Sequence, residues 1–552
     1  MLYKNHRITL VAVCICAVCL VSGITPANCR AAALTTFVTD DFSGSGVCAF
    51  CHSRLVDKAR NDVSNDAQWR STMMANAAKD PLWQAKISAE VDLVPGGLGL
   101  EQVIQEKCSR CHMGMARYQQ LADGDTKKDI YVFDTGFLDP AHYLHEAAMD
   151  GVSCTLCHQI TAENLGMESS FTGQYVIDTT TVSPDRVLFG PYVSPRLDPM
   201  QTNAGFLPTD HAADGMQLAD SAHCGSCHTL YTPALDALGK IIGEFPEQTT
   251  YLEWEYSQFN QSCQDCHLPD AVGSVVISNR PRRLGAREPF GQHHYVGGNS
   301  YMVNLLKDKA AELGVTADAN HLDATISRTL AQLQENTATV EASALLSDST
   351  LEVTVDVTNL AGHKFPSGLP SRRAWLHVTV ANAGGNILFE SGAHANDRIA
   401  GNDAVEGPLD FEPHYETITS PDQVQIYEPI MLNNEGAVTY TLLRAWEYAK
   451  DNRLLPAGFD KTNAHDDISV YGKAFDDENF TGGSDQIVYE VDVSGSSGGL
   501  TVSVELLFQT LSYPFIQDLK TTRTDLVQRF TNLYKPKDNG PVVIAAVQVS
   551  SE

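Results

Sequence analysis

The chain has 552 residues, 38 Lys plus Arg against 68 Asp plus Glu, and a formal charge of −30. That length exceeds a single hydrophobic core and predicts two or three domains. The acidic balance argues against nucleic acid and anionic membrane surfaces as partners; it suits a solvated particle that meets basic patches on other proteins, or simply an acidic soluble surface.

The N-terminus, "MLYKNHRITLVAVCICAVCLVSGITPANCRAAA", places Lys4 and Arg7 before an apolar stretch over 8–22, followed by small residues. This reads as a secretory signal peptide over 1–31, cleaved after Ala27 or Ala31, and the chain is expected to be exported to the periplasm or the cell surface. An uncleaved anchor is the alternative. Cys29 raises lipid attachment, but "PANC" lacks the apolar and small residues of such a signal. No later segment is long and apolar enough to span a bilayer, so the mature chain is expected to have no membrane span.

From residue 40 the dominant feature is a repeated quintet. "CAFCH" (Cys48, Cys51, His52) recurs as "CSRCH" (Cys108, Cys111, His112), "CTLCH" (Cys154, Cys157, His158), "CGSCH" (Cys224, Cys227, His228) and "CQDCH" (Cys263, Cys266, His267). Ten of the fourteen cysteines lie in these quintets; the others, Cys14, Cys16, Cys19 and Cys29, lie in the leader. Zinc needs four ligands, and five units spaced 39 to 70 residues apart pair poorly for that purpose. A thioredoxin-like dithiol would occur once, on a βαβ framework. Neither explains a histidine after every second cysteine. Haem c does: two thiols add to the porphyrin vinyl groups, and the next side chain is carried under the iron. The motifs therefore predict five haem c groups with iron, tethered by the ten cysteines, with His52, His112, His158, His228 and His267 as proximal ligands. Residues 40–300 are expected to form this pentahaem domain, with short helices and little sheet because porphyrin discs supply much of the core.

Candidate sixth ligands follow in chain order. "WRSTMMANAAKDPLW" predicts a helix over 68–78, broken by Asp80-Pro81, which carries Met73 and Met74 as thioether candidates or as packing residues. His142 and His145 precede the third quintet, His211 and His223 the fourth, and the pair His293/His294 follows the fifth. Each histidine could instead be a hydrogen-bonded surface residue. Met113 and Met115 read as packing residues.

Residues 301–340 read as a helical linker, with Leu322, Ile326, Leu330 and Leu333 on one face. The period then changes to two. "LEVTVDV", "WLHVTV", "ILFES", "IVYEVDV" and "LTVSVELLF" predict strands of an antiparallel β-sandwich over 341–510, with "ANAGGN" and "SGSSGG" as hairpin turns. A C-terminal extension follows at 511–552. One loop, "TNLAGHKFPSGLPSRRAWLHV", presents His363, Lys364, Arg372 and Arg373. It could dock on the Cys-rich half, with His363 reaching an iron or the arginines pairing with propionates, or be a β-domain corner held by its own bonds.

Several stretches resemble a family of large exported multihaem c-type cytochromes. They include "STMMANAAKDPLW", "KCSRCHMGM", "DGVSCTLCHQI", "HCGSCHTLYTP", "EQTTYLEWEYSQFNQSCQDCHLPD", "HHYVGGNSYM" and "AGHKFPSGLPSRRAWL". The family is related in its haem core to the tetrahaem cytochrome that accepts electrons from hydroxylamine oxidation. The resemblance covers most of 45–380 and implies closely packed haems that pass electrons along the chain. Related cores often carry a histidine in the helix after the first motif, where this chain has methionines. The pentahaem nitrite reductase shares the haem count but uses Cys-x-x-Cys-Lys at its catalytic haem, a motif absent here.

The fold expected is thus a mainly α/irregular multihaem cytochrome c core followed by an antiparallel β-sandwich. The function expected is electron transfer between redox proteins or other cytochromes outside the cytoplasm. Two alternatives stay open: a multihaem oxidoreductase with one open iron acting on a small nitrogen or sulfur compound, and a homo-oligomer or conduit assembly docked through the β-domain.

Overall fold

A computed structural model describes residues 33–94, 99–209, 216–400, 407 and 410–551. The proposed leader, with Cys29, and His211 lie outside the described residues. Among the described residues, no helix is long and apolar enough to cross a membrane.

The Cys-rich part is built of short helices separated by turns. Pro81–Asp92 begins where its sequence dictates, with Pro81 in the first turn and the Asp80 carboxylate accepting from the Leu82 amide at 2.8 Å. The helix expected over 68–78 is not formed. Instead Asn65–Arg70 is helical and a run of turns continues to Lys79. The cause is local: Ser71 and Thr72 hydroxyls bond back to the carbonyls of Gln68 and Trp69, and the Asn76 amide to those of Arg70 and Thr72. Such side-chain bonds compete with helix propagation. Sheet in this part is confined, among the described residues, to a short parallel pair (Arg186–Leu188 with Phe206–Pro208) and a hairpin (Leu230–Leu235 with Ile241–Gln248).

Ser300–Asp308 and Ala319–Glu335 are helical, as the period of the sequence requires. The buried face of the second is Leu322, Thr325, Thr329 and Leu333 rather than an all-apolar stripe, because the Thr325 hydroxyl meets that of Ser71 at 2.7 Å. The C-terminal helices Tyr513–Leu519 and Asp525–Leu533 join this region to Pro81–Asp92 through an apolar cluster containing Leu82, Ala85, Met302, Leu306, Phe515 and Phe530.

The β region contains strands β1 (Ala338–Ser347), β2 (Thr350–Asn359), β3 (Arg373–Asn382), β4 (Ile387–Ser391), β5 (Thr417–Ile418), β6 (Ile426–Tyr427), β7 (Ser484–Asp492), β8 (Leu500–Gln509) and β9 (Val542–Ser550). One sheet runs β5-β7-β2-β1, with β5 parallel to β7 and the remainder antiparallel. The other runs β6-β3-β8-β9, with β4 also on β3, and is antiparallel throughout. Alternate residues of both sheets, including Val353, Val355, Val378, Val380, Ile487, Val502 and Val504, share one apolar cluster. Each such side chain contributes about 1.5–3 kcal/mol on burial.

The turn between β3 and β4 is the one its sequence demands. Asn382 Oδ1 accepts from the amides of Gly384 and Asn386, and Gly385 takes φ 79°. The hairpin expected across "SGSSGG" does not exist, since β7 and β8 belong to different sheets. The small residues make a crossover instead, because each strand gains a longer partner: β7 pairs with β2 over nine residues and β8 with β3 over ten.

Candidate functional site

Each quintet sits at the C-terminal end of a helix: Ser45–His52, Leu100–His112, Cys154–Cys157, Ser221–His228 and Cys263–His267. The i, i+3 spacing puts both thiols on one helical face, and the histidine leaves at the helix end. The local sequence fixes the start of two of these helices. Ser262 and Asp265 form a reciprocal capping box ahead of Cys263, and Asp220 caps Ser221–His228 through the Ala222 amide.

The five motif histidines share one arrangement. Nδ1 of His52 donates to the carbonyl of Ile277 at 2.9 Å, His112 to Ala77 at 3.1 Å, His158 to Phe189 at 2.7 Å and His267 to Val296 at 2.8 Å. His228 donates instead to Oε1 of Gln248 at 3.2 Å. These bonds fix the tautomer and leave every Nε2 lone pair free, which is how metal-bound imidazoles are oriented. Burial is the chief cause lowering all five imidazole pKa values, that of His112 and His267 to about 4, so the rings are neutral near pH 7. None of the five is closed off, however: four keep partial accessibility and His228 is exposed. The protein surrounds these rings without fully covering them.

All ten motif cysteines are free thiols with partly accessible side chains. Burial pushes Cys108 and Cys157 up to about 12, so these remain protonated thiols at neutral pH. Thiols of different quintets are neighbours: Cys48 lies beside Cys154, Cys111 beside Cys227, and Cys224 beside Cys263. Cys157 lies near enough to Cys224 and Cys227 to raise, or be raised by, their charge. The first quintet thus adjoins the third, the third the fourth, and the fourth both the second and the fifth. Free paired thiols, oriented imidazoles and uncovered deep side chains together fit covalently tethered porphyrins.

The structure sorts the candidate sixth ligands. His293 lies across from His158, with ring centroids 6.4 Å apart and planes 16° from parallel. Two imidazoles bound to one metal at about 2.0–2.1 Å each would hold their centroids roughly 6.3 Å apart. His294 points elsewhere, with Nε2 3.3 Å from the Gln68 side-chain amide. His145 donates Nδ1–H to the Phe137 carbonyl at 2.9 Å, leaving Nε2 free. His142 is the reverse. Its Nδ1 accepts from the Leu144 amide at 3.1 Å, so its proton sits on Nε2. His223, lowered to about 4 chiefly by burial, neighbours His158 and has a buried Nδ1 without a hydrogen-bond partner. His363 donates Nδ1–H to the Lys364 carbonyl at 2.9 Å and neighbours both His228 and His267. Met73 packs against the apolar cluster of Leu82 and Met302, and Met113 and Met115 are fully buried among apolar side chains. For Met74, the backbone carbonyl accepts from Val152 at 3.0 Å.

The loop between β2 and β3 docks on helix Thr250–Glu255, just ahead of the fifth quintet. Glu253 accepts from the Lys364 amide at 3.1 Å and from the Ser367 hydroxyl at 3.2 Å. Lys364, Asp451, Arg453 and Glu253 form a buried network, with Nζ 2.7 Å from Asp451 and Arg453 2.9 Å from Glu253. The two arginines divide. Arg373 is held inside the β region by Gln509 at 2.8 Å. Arg372 donates to the Ser367 carbonyl, faces His228, and is lowered to about 10 by burial.

Sequence reasoning missed two features. Gln248, partner of His228, lies on a hairpin strand that carries no motif. His414, Asp477 and Asp485 form a fully buried cluster spaced for a cation. Its chemistry is otherwise: Gln425 and Asn452 both donate to His414 Nδ1, so Nε2 carries the proton and donates it to Asp477 at 3.0 Å.

A helical, Cys- and His-lined part joined to two β-sheets is therefore the architecture. No family model matches the chain, and no curated protein sequence does. Among solved structures it is similar in fold to a penta-heme cytochrome c552 from Thermochromatium tepidum. The TM-score is 0.51 and the identity 17%, with 92% of this chain and 98% of that chain covered.

Proposed function

We propose that this chain is an exported pentahaem c-type cytochrome that transfers electrons between redox partners outside the cytoplasm. The observation that carries the reading is the shared geometry of five motif imidazoles, each anchored through Nδ1 with Nε2 free and the ring not fully covered by protein. The similar structure, a penta-heme cytochrome, supports the count of five haem c groups. When bound, these groups supply a one-electron ferric/ferrous couple.

The residues of the chain do the rest. The ten cysteines tether, and His52, His112, His158, His228 and His267 ligate from the proximal side. His293 completes the site of His158, His363 serves the fourth or fifth site, and Arg372 neutralises a propionate there. The thiol contacts order the relay from the first site to the third and fourth, with the second and fifth adjoining the fourth. The two sheets, which run from β1 at Ala338 and take in β9 of the C-terminal segment, are read as a sandwich that seals this relay through the β2–β3 loop.

A host able to attach haem c should yield a protein whose reduced spectrum is that of low-spin c-type haem; a colourless, folded product overturns the reading. Arg372→Gln should lower the midpoint potential of one haem, since removing a positive charge favours the ferric form. A second reading, in which one iron stays open to a small nitrogen or sulfur species, is favoured by Met73 turning into an apolar cluster. A high-spin ferric signal that shifts on adding cyanide or nitrite supports it.

A further inference from the structure

The charge of −30 is not evenly spread. Residues 53–62 and 271–290 carry seven basic side chains (Arg54, Lys58, Arg60, Arg280, Arg282, Arg283 and Arg287) against three acidic ones. Two of the three carboxylates are turned to local partners: Asp57 is buried and bonds Asn61, and Asp62 bonds Ser64. The two segments are stitched over the first quintet. The Lys58 backbone amide donates to the Val272 carbonyl, Asn279 donates to the carbonyls of Cys51 and Ser53, and the Ile277 carbonyl holds His52.

The cations are presented outward. All but Arg287 are exposed. Arg280 lies over Phe50 at 4.1 Å, and Arg287 donates to the Ser194 carbonyl. Among the described residues, none of the seven makes an ion pair with a carboxylate. The surface they rim is apolar. Phe50, between the two motif cysteines, is 55% exposed, with Val56, Val272 and Val276 at 49%, 57% and 43%. An apolar centre inside a charged rim is the anatomy of a protein interface, and small interfaces of this kind suit brief redox encounters.

We propose that this basic, apolar-centred surface around the first Cys-x-x-Cys-His quintet is the docking site of an acidic electron-transfer protein. The inference rests on the pentahaem reading. At physiological salt the Debye length is about 8 Å, so the acidic bulk of the chain is screened and the local patch governs the approach. Complementary charge then orients the partner's redox centre toward the first site and raises the encounter rate. Each productive encounter moves one electron, oxidising the partner and reducing one ferric iron to ferrous.

The probe is an acidic flavodoxin in its hydroquinone form, mixed with the oxidised holoprotein by stopped flow at about 0.1 M ionic strength, where the Debye length is about 10 Å. R280E/R282E/R283E should slow the second-order rate at least about tenfold. K473E/R523E/K537E, which changes net charge equally at exposed sites outside the Cys-rich part, should leave it within about twofold. Equal slowing of both variants, or of neither, overturns the proposal. So does self-association of the wild type that R280E/R282E/R283E abolishes without changing the rate, since the occupant would then be a second copy. Haem content and redox spectra of each variant separate the two ideas. A haem-free protein sinks the parent reading, whereas haem-replete variants with unchanged spectra and unchanged rates sink the docking site alone.

Discussion

At the scale of single residues, the imidazole pair His158 and His293 is the sharpest feature. If both bind one iron, His293→Ala should convert one haem in five from low-spin to high-spin ferric, read by electron paramagnetic resonance, and leave the other four unchanged. Glu247 offers a different test. Burial, with Glu90 adding to it, raises its carboxyl from 4.5 to about 8. The unfolded chain releases that proton near 4.5 while the folded chain keeps it, so folded protein binds more protons across the interval. Stability should therefore fall as pH rises from about 4.5 to about 8. Glu247→Gln should flatten that slope in denaturation of the holoprotein at a series of pH values; an unchanged slope contradicts the assignment. The quintets were legible from sequence because tethering needs a fixed spacing of residue types. Nothing in the sequence separates His293 from His294, or His145 from His142. Those differences arise from which backbone group each ring meets, and that depends on the tertiary fold.

At the scale of elements, the loop between β2 and β3 ties the β region to the approach to the fifth quintet. The four buried charges at this dock are mutually satisfied, and Asp451 is held well below the usual carboxylate range by Arg453 and Lys364. Removing one partner strands the others. Lys364→Met should lower stability by about 3–5 kcal/mol, seen as an earlier denaturation midpoint. A loss below about 1 kcal/mol would show that the network relaxes around the gap. The docking of this loop was open from the sequence as one of two alternatives. Its partner Glu253 was not visible, because the contact joins residues more than a hundred positions apart. Period-two strands were readable, yet the pairing of β7 with β2 and β8 with β3 was not, since alternation specifies a face and leaves the neighbour open. The failed helix over 68–78 shows the converse: Ser71, Thr72 and Asn76 each captured a backbone carbonyl that the periodic pattern ignores.

At the scale of the whole molecule, contacts between quintets define a branched path with the fourth site at its centre. The C-terminal segment clamps the assembly: its helices pack on Pro81–Asp92 and β9 covers the edge of β8. Deleting 542–552 should bare that edge and cause concentration-dependent aggregation, followed by light scattering, because an unpaired strand templates others. What the ten thiols carry decides the function of the whole molecule. Its most direct test is the mass and metal content of the denatured mature chain, made in a host that attaches haem c. The expected result is the polypeptide plus five haems, with five irons that stay bound on denaturation. A chain weighing only its amino acids, or one holding zinc in place of iron, would contradict it.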